Sequence, residues 1–239
     1  MKAVILAAGK GSRICTLTNG SPKSLLSLGD TTLLGHSLQY LSDAGVTELI
    51  VAIGYRRQAI IEYVNENWHG AVEFVFNPQF DTTNVLFSFW LTLPFLDSKD
   101  FIFLHADTVF SPEILARLMS HPVHAPMIFA VDNHPCQEEE MKVRVINNKV
   151  VEVSKQIAWD ASDGEFMGLA WISGSQIPGL RRHAEFLFEE GVFNAFFELA
   201  VQRMIDQDGL QVEVVDITGL PWREVDFPED YEAARALFE

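Results

Sequence analysis

The segment "VILAAGKGSR", residues 4–13, passes from an apolar run into a glycine-rich bend within a few residues. The apolar run is typical of a buried strand. Gly9 and Gly11 would let backbone N–H groups approach an anionic ligand with no side chain in the way. A strand that leads directly into such a bend is typical of α/β folds that bind ligands at their strand ends.

Strand-like and helix-like segments alternate through the first half of the chain. The strand-like runs are "AVILA", "ELIVAIGY", "VEFVF" and "FIFLHAD", and helical patterns such as "LLGHSLQYLSDAG", "RRQAIIEYVNENW" and "SPEILARLMS" lie between or after them. This order predicts an α/β protein with a doubly wound, mostly parallel, Rossmann-like sheet. The stretch "MKVRVINNKVVEVSK" predicts a hairpin with an Asn-Asn turn, which would form a small antiparallel flap. We expect residues 1–239 to form a single domain.

The charge balance limits the class of ligand. The chain has 17 Lys and Arg against 33 Asp and Glu, a formal net charge of -16. Because this charge repels a polyanion, a small ligand is expected and a nucleic acid is not. The N-terminal apolar run is too short for a signal peptide, and no run approaches the roughly 18 apolar residues of a membrane span. We expect a cytoplasmic protein without a membrane partner, either a monomer or a homodimer.

The two cysteines, Cys15 and Cys136, belong to no CxxC pair and to no Cys/His cluster with metal-ligand spacing. We expect free thiols. The stretch "NHPCQEEE", which contains His134 and Cys136, is interpreted as a surface loop without two further ligands nearby.

Two common phosphate-binding motifs do not fit the glycine bend. A P-loop requires a glycine followed by Lys-Ser or Lys-Thr, which this bend lacks. A dinucleotide fingerprint requires a third glycine, but Ile14 stands at that position, and the second strand has no acidic residue for a ribose. What remains is G-x-G-x-R with Pro22-Lys23 ten residues downstream.

This compound signature resembles that of the nucleotidyltransferase superfamily, whose members activate phosphorylated small molecules. The resemblance covers nearly the whole chain, and it implies that Arg13 and Lys23 are catalytic. Positive charge would assist attack on the α-phosphorus of a nucleoside triphosphate, because negative charges converge there and on the leaving pyrophosphate. The implied nucleotide-binding residues are those of the strand end and the loop, namely Leu6, Ala7, Ala8, Gly9, Lys10, Gly11 and Ser12.

Two aspartates are the candidate metal ligands. Asp107 and Asp226 each follow a strand-like run, and two carboxylates that meet at strand ends would hold Mg²⁺ while leaving coordination positions for phosphate oxygens. His105, two residues before Asp107, is interpreted as a core side chain rather than a ligand.

Three features are more similar to the phosphocholine and phosphonate cytidylyltransferases than to the sugar-1-phosphate enzymes. They are "NPQFDTTNVLFSFWLT", "GEFMGLAWIS" and the short length of the chain. The implied acceptor-binding residues are Asn84, Ser88, Lys155 and Glu165. Because a choline or aminoethyl group is cationic, we expect Glu165 to act with aromatic or acidic partners. The candidate partners are Asp81, Phe87, Trp90, Trp159 and Trp171.

The expected function is Mg²⁺-dependent transfer of CMP from CTP to a small phosphorylated or phosphonylated amine or alcohol, with release of pyrophosphate. The acceptor would be of the phosphocholine or 2-aminoethylphosphonate type, and inositol phosphate stays open. One alternative is a sugar-1-phosphate nucleotidyltransferase that uses UTP, dTTP or GTP. Another is a non-catalytic nucleotide-binding sensor on the same fold.

Overall fold

The computed structural model describes residues 1–121 and 125–239. Its strands are β1 Lys2–Ala7, β2 Ser27–Leu28, β3 Thr31–Thr32, β4 Glu48–Ile53, β5 Ala71–Phe76, β6 Phe101–His105, β7 Thr108–Phe110, β8 Met127–Asp132, β9 Lys142–Ile146, β10 Lys149–Val153, β11 Gly164–Ile172, β12 Val212–Asp216 and β13 Trp222–Glu224. Its α-helices are α1 Cys15–Thr18, α2 Leu33–Asp43, α3 Arg57–Asn67, α4 Val85–Thr92, α5 Pro112–Ser120, α6 Ile177–Glu189, α7 Phe197–Asp208 and α8 Pro228–Phe238.

Nine strands form the main sheet in the order β5-β4-β1-β6-β11-β8-β12-β10-β9 within the described ranges. Strands β5, β4, β1 and β6 are mutually parallel, and β8 is parallel to β12. Strand β11 runs antiparallel to both β6 and β8, so it joins the two parallel groups. The predicted doubly wound, mostly parallel sheet is confirmed, with one reversed strand at its centre.

Helices cover both faces of this sheet. Alternating side chains of β1 contribute to two separate cores, with Val4 on one face and Ile5 on the other. The first face packs against α4, α6 and α7, and the second against α2, α3 and α5. Leu34, Leu38 and Leu41 of α2 are buried, as their spacing predicts. No helix in the described ranges is long and apolar enough to cross a bilayer.

The hairpin of β9 and β10 forms the predicted flap. Asn147 and Asn148 connect the strands with φ angles of 51° and 63°, which are left-handed values that asparagine tolerates better than most residues. Strands β7 and β13 form a separate two-stranded antiparallel ribbon. A third, small core joins Ile14, Val109 and Val225, so it fixes this ribbon against the end of the glycine loop.

Candidate active site

The glycine bend follows β1 and turns into a short 3-10 helix, Ser12–Ile14. Gly11 has a φ of 61°, and a Cβ added there would lie 2.8 Å from Cβ of Lys23. Two carbonyls of the strand end are already engaged, because Leu6 accepts from the Ala106 amide and Ala8 accepts from the Tyr55 amide. Lys10 is exposed. The loop is therefore built around Lys23, and glycine is the residue that leaves room for that side chain.

Lys23 connects the two aspartates that the sequence indicates as metal ligands. Its Nζ lies 2.7 Å from Oδ2 of Asp107 and 2.5 Å from Oδ1 of Asp226. Burial alone would lower the pKa of Lys23, but the charges of Asp107 and Asp226 raise it above its ordinary value. The pKa of Asp107 is lowered, since the charges of Lys23 and His105 outweigh its own burial. Lys23 and Asp107 are therefore both charged at neutral pH.

Asp226 reaches this position through the ribbon rather than through the main sheet. The amide of Val225 donates to the carbonyl of Asp107 at 3.0 Å, immediately beyond the paired residues of β7 and β13. Oδ2 of Asp230, at the start of α8, then accepts from the amides of Asp226 and Phe227. The expectation that both aspartates follow strands is met, but β13 lies outside the sheet that contains β6.

Arg13 lies at the open edge of the same group. Its guanidinium is 3.4 Å from Asp226 and 3.7 Å from Glu139, and it stands over the ring of Phe227 with 5.2 Å to the centroid. The side chain is half exposed. A planar cation in this position can bind phosphate oxygens that approach from solvent.

His105 is not the satisfied core side chain that the sequence suggests. Its Nδ1 is 3.7 Å from Oε1 of Glu224, and Nε2 is buried with no hydrogen-bond partner in the described residues. Burial disfavours its charged form, but Glu224 and Asp107 raise the pKa of His105 to about 9. His105, Asp107 and Glu224 each place one ligand atom within 4.8 Å of the others. His105 thus provides a second positive charge near Asp107, in addition to that of Lys23.

The carboxylates of Asp107 and Asp226 fit a hard divalent cation. Oδ1 of Asp107 is buried and makes no hydrogen bond to any part of the chain that is described. Asp107 and Asp226 already share one bound cation, the ammonium of Lys23, so their oxygens lie within reach of a single ion. Carboxylate oxygens are the ligands that Mg²⁺ takes in phosphate-transfer sites.

A cavity of about 700 Å³ opens beside Asp226. It is strongly acidic, since eight carboxylates line it against one arginine, Arg223, among the described residues. The eight are Asp132, Glu139, Glu140, Glu165, Glu224, Asp226, Glu229 and Asp230. Such a cavity attracts a cationic group and repels an anion that is not accompanied by positive charge.

Glu165 is held at one wall of this cavity by the irregular start of β11. Its neighbour Gly164 permits close pairing, because a Cβ there would lie 2.5 Å from the carbonyl oxygen of Asp132. The pairing of β11 with β8 then shifts between Phe166 and Ala170, around Gly168 with its φ of 81°. Burial, together with the charges of Glu140, Glu224 and Asp132, raises the pKa of Glu165 to about 9.

The cavity has different aromatic residues from those expected. Trp222 and Phe227 line it, and Nε1 of Trp222 donates to Asp132 at 2.8 Å. The five proposed partners of Glu165 are not among its described lining residues. Trp171 is buried in the core on the α2 and α5 side, and Trp159 is exposed. Trp222 could not be predicted to face this cavity, because a three-residue strand does not reveal its pairing with β7.

The remaining acceptor candidates lie around α4 and the flap. Asn84 is the N-cap of α4, and its side chain accepts from the amide of Val85. Ser88 is buried and accepts from Asn77 at 3.0 Å. Lys155 follows β10, with Nζ 4.9 Å from the ring centroid of Phe196. None of the three lines the acidic cavity within the described ranges, so their roles stay predictions.

The surroundings of His134 and Cys136 differ from the prediction. Glu140 is a third potential ligand, and one ligand atom from each residue lies within 4.8 Å of the others. Cys136 is buried rather than exposed on a loop. Glu165 is a fourth potential ligand, since both carboxylates lie within 3.5 Å of Nε2 of His134. The prediction that two further ligands are lacking nearby is therefore wrong, while both cysteines are free as predicted.

The relatives of this chain are nucleotidyltransferases, and the chain is accordingly an enzyme that transfers nucleotides. The chain belongs to the MobA-like NTP transferase domain family, whose profile matches residues 3–167. Enzymes of this kind generally use a divalent metal ion.

Two similar proteins are cytidylyltransferases or related synthases. The CMP-5'-(3-aminopropyl)phosphonate synthase of Streptomyces rubellomurinus is 29% identical over 248 residues, which cover 100% of this chain but 39% of that protein. The chain therefore spans well under half the length of that relative. The CTP:phosphoglutamine cytidylyltransferase of Campylobacter jejuni is 24% identical over 97% of this chain and 98% of its own length.

Solved structures support the fold. The inositol-1-phosphate CTP transferase from T. maritima superposes with a TM-score of 0.80 at 23% identity, covering 99% of this chain and 95% of that one. The CTP:phosphocholine cytidylyltransferase from Streptococcus pneumoniae gives a TM-score of 0.77 at 20% identity, covering 100% and 99% of the two chains.

Proposed function

We propose that the enzyme transfers CMP from CTP to a small phosphorylated or phosphonylated molecule that carries a cationic amine, and releases pyrophosphate. The observation that carries this proposal is the acidic cavity, because Asp226 and Glu165 line the same space. One end of the cavity adjoins Lys23 and Arg13, which suit phosphates. The other end presents the buried Glu165 and the partly buried Asp132 and Glu140, which suit an ammonium group. The similarity to cytidylyltransferases supports CTP as the nucleotide.

The proposed role of Lys23 is to neutralise the charge that develops between the attacking and the attacked phosphates. No general base is needed, since the nucleophile is an ionised phosphate or phosphonate oxygen that forms a bond to the α-phosphorus as the bond to pyrophosphate breaks. Arg13 would bind the triphosphate. Asp107 and Asp226 would hold Mg²⁺, which would supply further positive charge to the phosphate oxygens when bound.

The expected acceptor site lies between Glu165, Trp222 and Asp132. An ammonium group placed there would stabilise the ionised form of Glu165, whose pKa is raised to about 9 by burial and by the nearby negative charges. Trp222 could offer an aromatic face while its indole N–H stays bonded to Asp132. A neutral sugar would leave these carboxylates unpaired, and therefore the geometry disfavours a sugar-1-phosphate.

The experiment measures pyrophosphate release from CTP, UTP, dTTP and GTP with Mg²⁺ and a panel of acceptors. 2-Aminoethylphosphonate and phosphocholine are paired with ethylphosphonate, which has the same anionic group but no amine, and with glucose 1-phosphate. We expect turnover with CTP and an amine-bearing acceptor, and at least about a 100-fold lower kcat/KM without the amine. Lys23→Gln should lower kcat by about 100-fold or more.

Two outcomes would overturn the proposal. Preferred use of glucose 1-phosphate with another triphosphate would establish the sugar-nucleotide alternative. Binding of CTP without pyrophosphate release from any acceptor would establish a nucleotide sensor.

A further inference from the structure

Three nitrogen, sulfur and oxygen donors, His134, Cys136 and Glu140, lie close together on the segment between β8 and β9, and His134 and Glu140 line the acidic cavity. Glu165 of β11 contacts this group through His134. Nε2 of His134 is 3.3 Å from Oε2 of Glu140 and 3.5 Å from Oε2 of Glu165. Sγ of Cys136 lies within 4.8 Å of the ligand atoms of His134 and Glu140. The ligand group beside Lys23, formed by His105, Asp107 and Glu224, contains no cysteine among the described residues. The two groups therefore differ in the ligand atoms that they offer.

The distances match the edges of a tetrahedral metal site. Zinc bonds of about 2.0–2.1 Å to nitrogen and oxygen place neighbouring ligand atoms about 3.3–3.4 Å apart. The two contacts from Nε2 of His134 are close to that separation. Cys136 now donates to the carbonyl of His134 at 3.5 Å, and release of this weak bond would free its sulfur to approach a shared ion.

A carboxylate also lies beside the second ring nitrogen of His134. Oδ2 of Asp132 lies 3.4 Å from Nδ1, on the far side of the ring from Glu140 and Glu165. The Asp132 carboxylate is itself fixed by the hydrogen bond from Trp222. A carboxylate on the Nδ1 side favours the tautomer that leaves Nε2 free to bind a metal.

The segment that supplies His134, Cys136 and Glu140 is held in place by the buried side chain of Lys142. Lys142 is 2% exposed, and its Nζ donates to the carbonyls of Gln137, Glu138, Glu140 and Lys155. The amide of Gln137 donates to the Glu140 carboxylate at 2.7 Å. Glu140 is therefore held near His134 by the fold before any ion binds.

We propose that His134, Cys136, Glu140 and Glu165 form a binding site for a borderline-soft divalent cation of the Zn²⁺ type, distinct from the Asp107 and Asp226 site. Imidazole and thiolate donors select zinc over magnesium, which prefers oxygen ligands. The thiol of Cys136 would lose its proton to solvent as its sulfur binds the metal. Since the proposed function assigns Glu165 to the acceptor amine, zinc and the acceptor would compete for this carboxylate.

Cobalt is a spectroscopic probe for the site. The full-length protein, with excess Mg²⁺ present to occupy oxygen-rich sites, is titrated with Co²⁺ alone and then with Zn²⁺. We expect one equivalent of Co²⁺ to produce thiolate-to-cobalt charge-transfer absorption, and Zn²⁺ to remove it. Cys136→Ser should abolish the absorption. Cys15→Ser, which removes the other, exposed thiol, is the matched control and should retain it.

A second variant separates the ligands from the residue that orients His134. Asp132→Asn should retain the cobalt absorption but weaken Zn²⁺ binding by about 10–100-fold, as expected for loss of the carboxylate beside Nδ1 of His134. His134→Gln should lose high-affinity binding altogether. Circular dichroism identifies any variant that fails to fold, and Cys15→Ser then still decides which thiol binds cobalt.

Absence of the charge-transfer absorption from the wild-type protein would overturn the proposal, as would its persistence in Cys136→Ser. Competition is tested separately, by measuring whether Zn²⁺ raises the acceptor KM in the wild type but not in Cys136→Ser. Failure of the proposed function would remove only this last measurement, because cobalt binding requires no turnover.

Discussion

At Gly11, a single added methyl group would contact the candidate active site. Its φ of 61° disfavours other residues, and an added Cβ would lie 2.8 Å from Lys23. We expect Gly11→Ala to displace Lys23 from Asp107 and Asp226 and to lower kcat/KM by at least about 10-fold, because a misplacement of about 1 Å in such a site is costly. Steady-state pyrophosphate release measures the effect.

Gly45→Ala is the matched control for this substitution. Gly45 has a similar φ of 77°, but an added Cβ would meet no atom within 4 Å. Both variants should lose about 1–2 kcal/mol from the left-handed backbone, and only Gly11→Ala should lose activity. Equal activities in the two variants would show that the approach of Lys23 to the loop has no functional consequence.

The convergence of Lys23, Asp107 and Asp226 could be predicted because the signature fixes residue types at specific positions after strands. His105 could not be predicted, since a histidine in an apolar strand is more often a core residue and its neighbour Glu224 is 119 positions away. The group around His134 also escaped prediction, because Glu165 is supplied by a strand whose register one sequence does not reveal.

Among the structural elements, β9 depends on one buried charge. Lys142 donates to four carbonyls around the segment before β9. Lys142→Met would leave these acceptors without their donor, and we expect the free energy of unfolding to fall by about 3 kcal/mol. Urea unfolding measures the loss, and limited proteolysis should show faster cleavage at residues 137–140.

Lys149→Met, in the partner strand β10, provides the comparison. Nζ of Lys149 donates to one exposed partner, Gln211, at 2.7 Å. The change in unfolding free energy should stay within about 0.5 kcal/mol, as for most surface substitutions. If Lys142→Met were equally mild, the four hydrogen bonds would not anchor the segment.

Strand existence was easier to predict than strand direction. The mostly apolar run "FMGLAWIS" indicates a strand, and β11 is buried throughout its length. A buried strand has the same apolar pattern whether its neighbours are parallel or antiparallel. The antiparallel direction of β11 could therefore not be predicted from the sequence. The pairing of β7 with β13 could not be predicted either, because strands of three residues are too short for their sequence pattern to indicate a partner.

Across the whole molecule, paired carboxylates link stability to pH. Nζ of Lys2 is 2.8 Å from Asp97 and 3.4 Å from Glu48, which ties β1 to β4 and to the turn before β6. The hydrogen bond and the charge of Lys2 lower the pKa of Asp97. Its stabilising contribution is therefore complete above the ordinary value of 3.8, and it is lost as the pH falls through the lower pKa of the folded state.

Asp97→Asn should consequently lower Tm at pH 6 and 7, and its difference from the wild type should shrink steadily below pH 4. Asp160→Asn, which removes an exposed carboxylate that forms no ion pair among the residues described, should show no such pH-dependent difference. Thermal unfolding followed at several pH values tests both variants. A constant offset for Asp97→Asn from pH 7 to pH 2 would contradict the assigned pairing.

The position of β11 has a consequence for biosynthesis. A chain that emerges from the ribosome can pair β1, β4, β5 and β6 early, but β8 cannot dock beside them until β11 has been made, because β11 lies between β6 and β8. Asp226 is synthesised later still. A nascent chain therefore holds Lys23 and Asp107 for more than a hundred codons before the second carboxylate arrives, so the three side chains can meet only after β13 has been made.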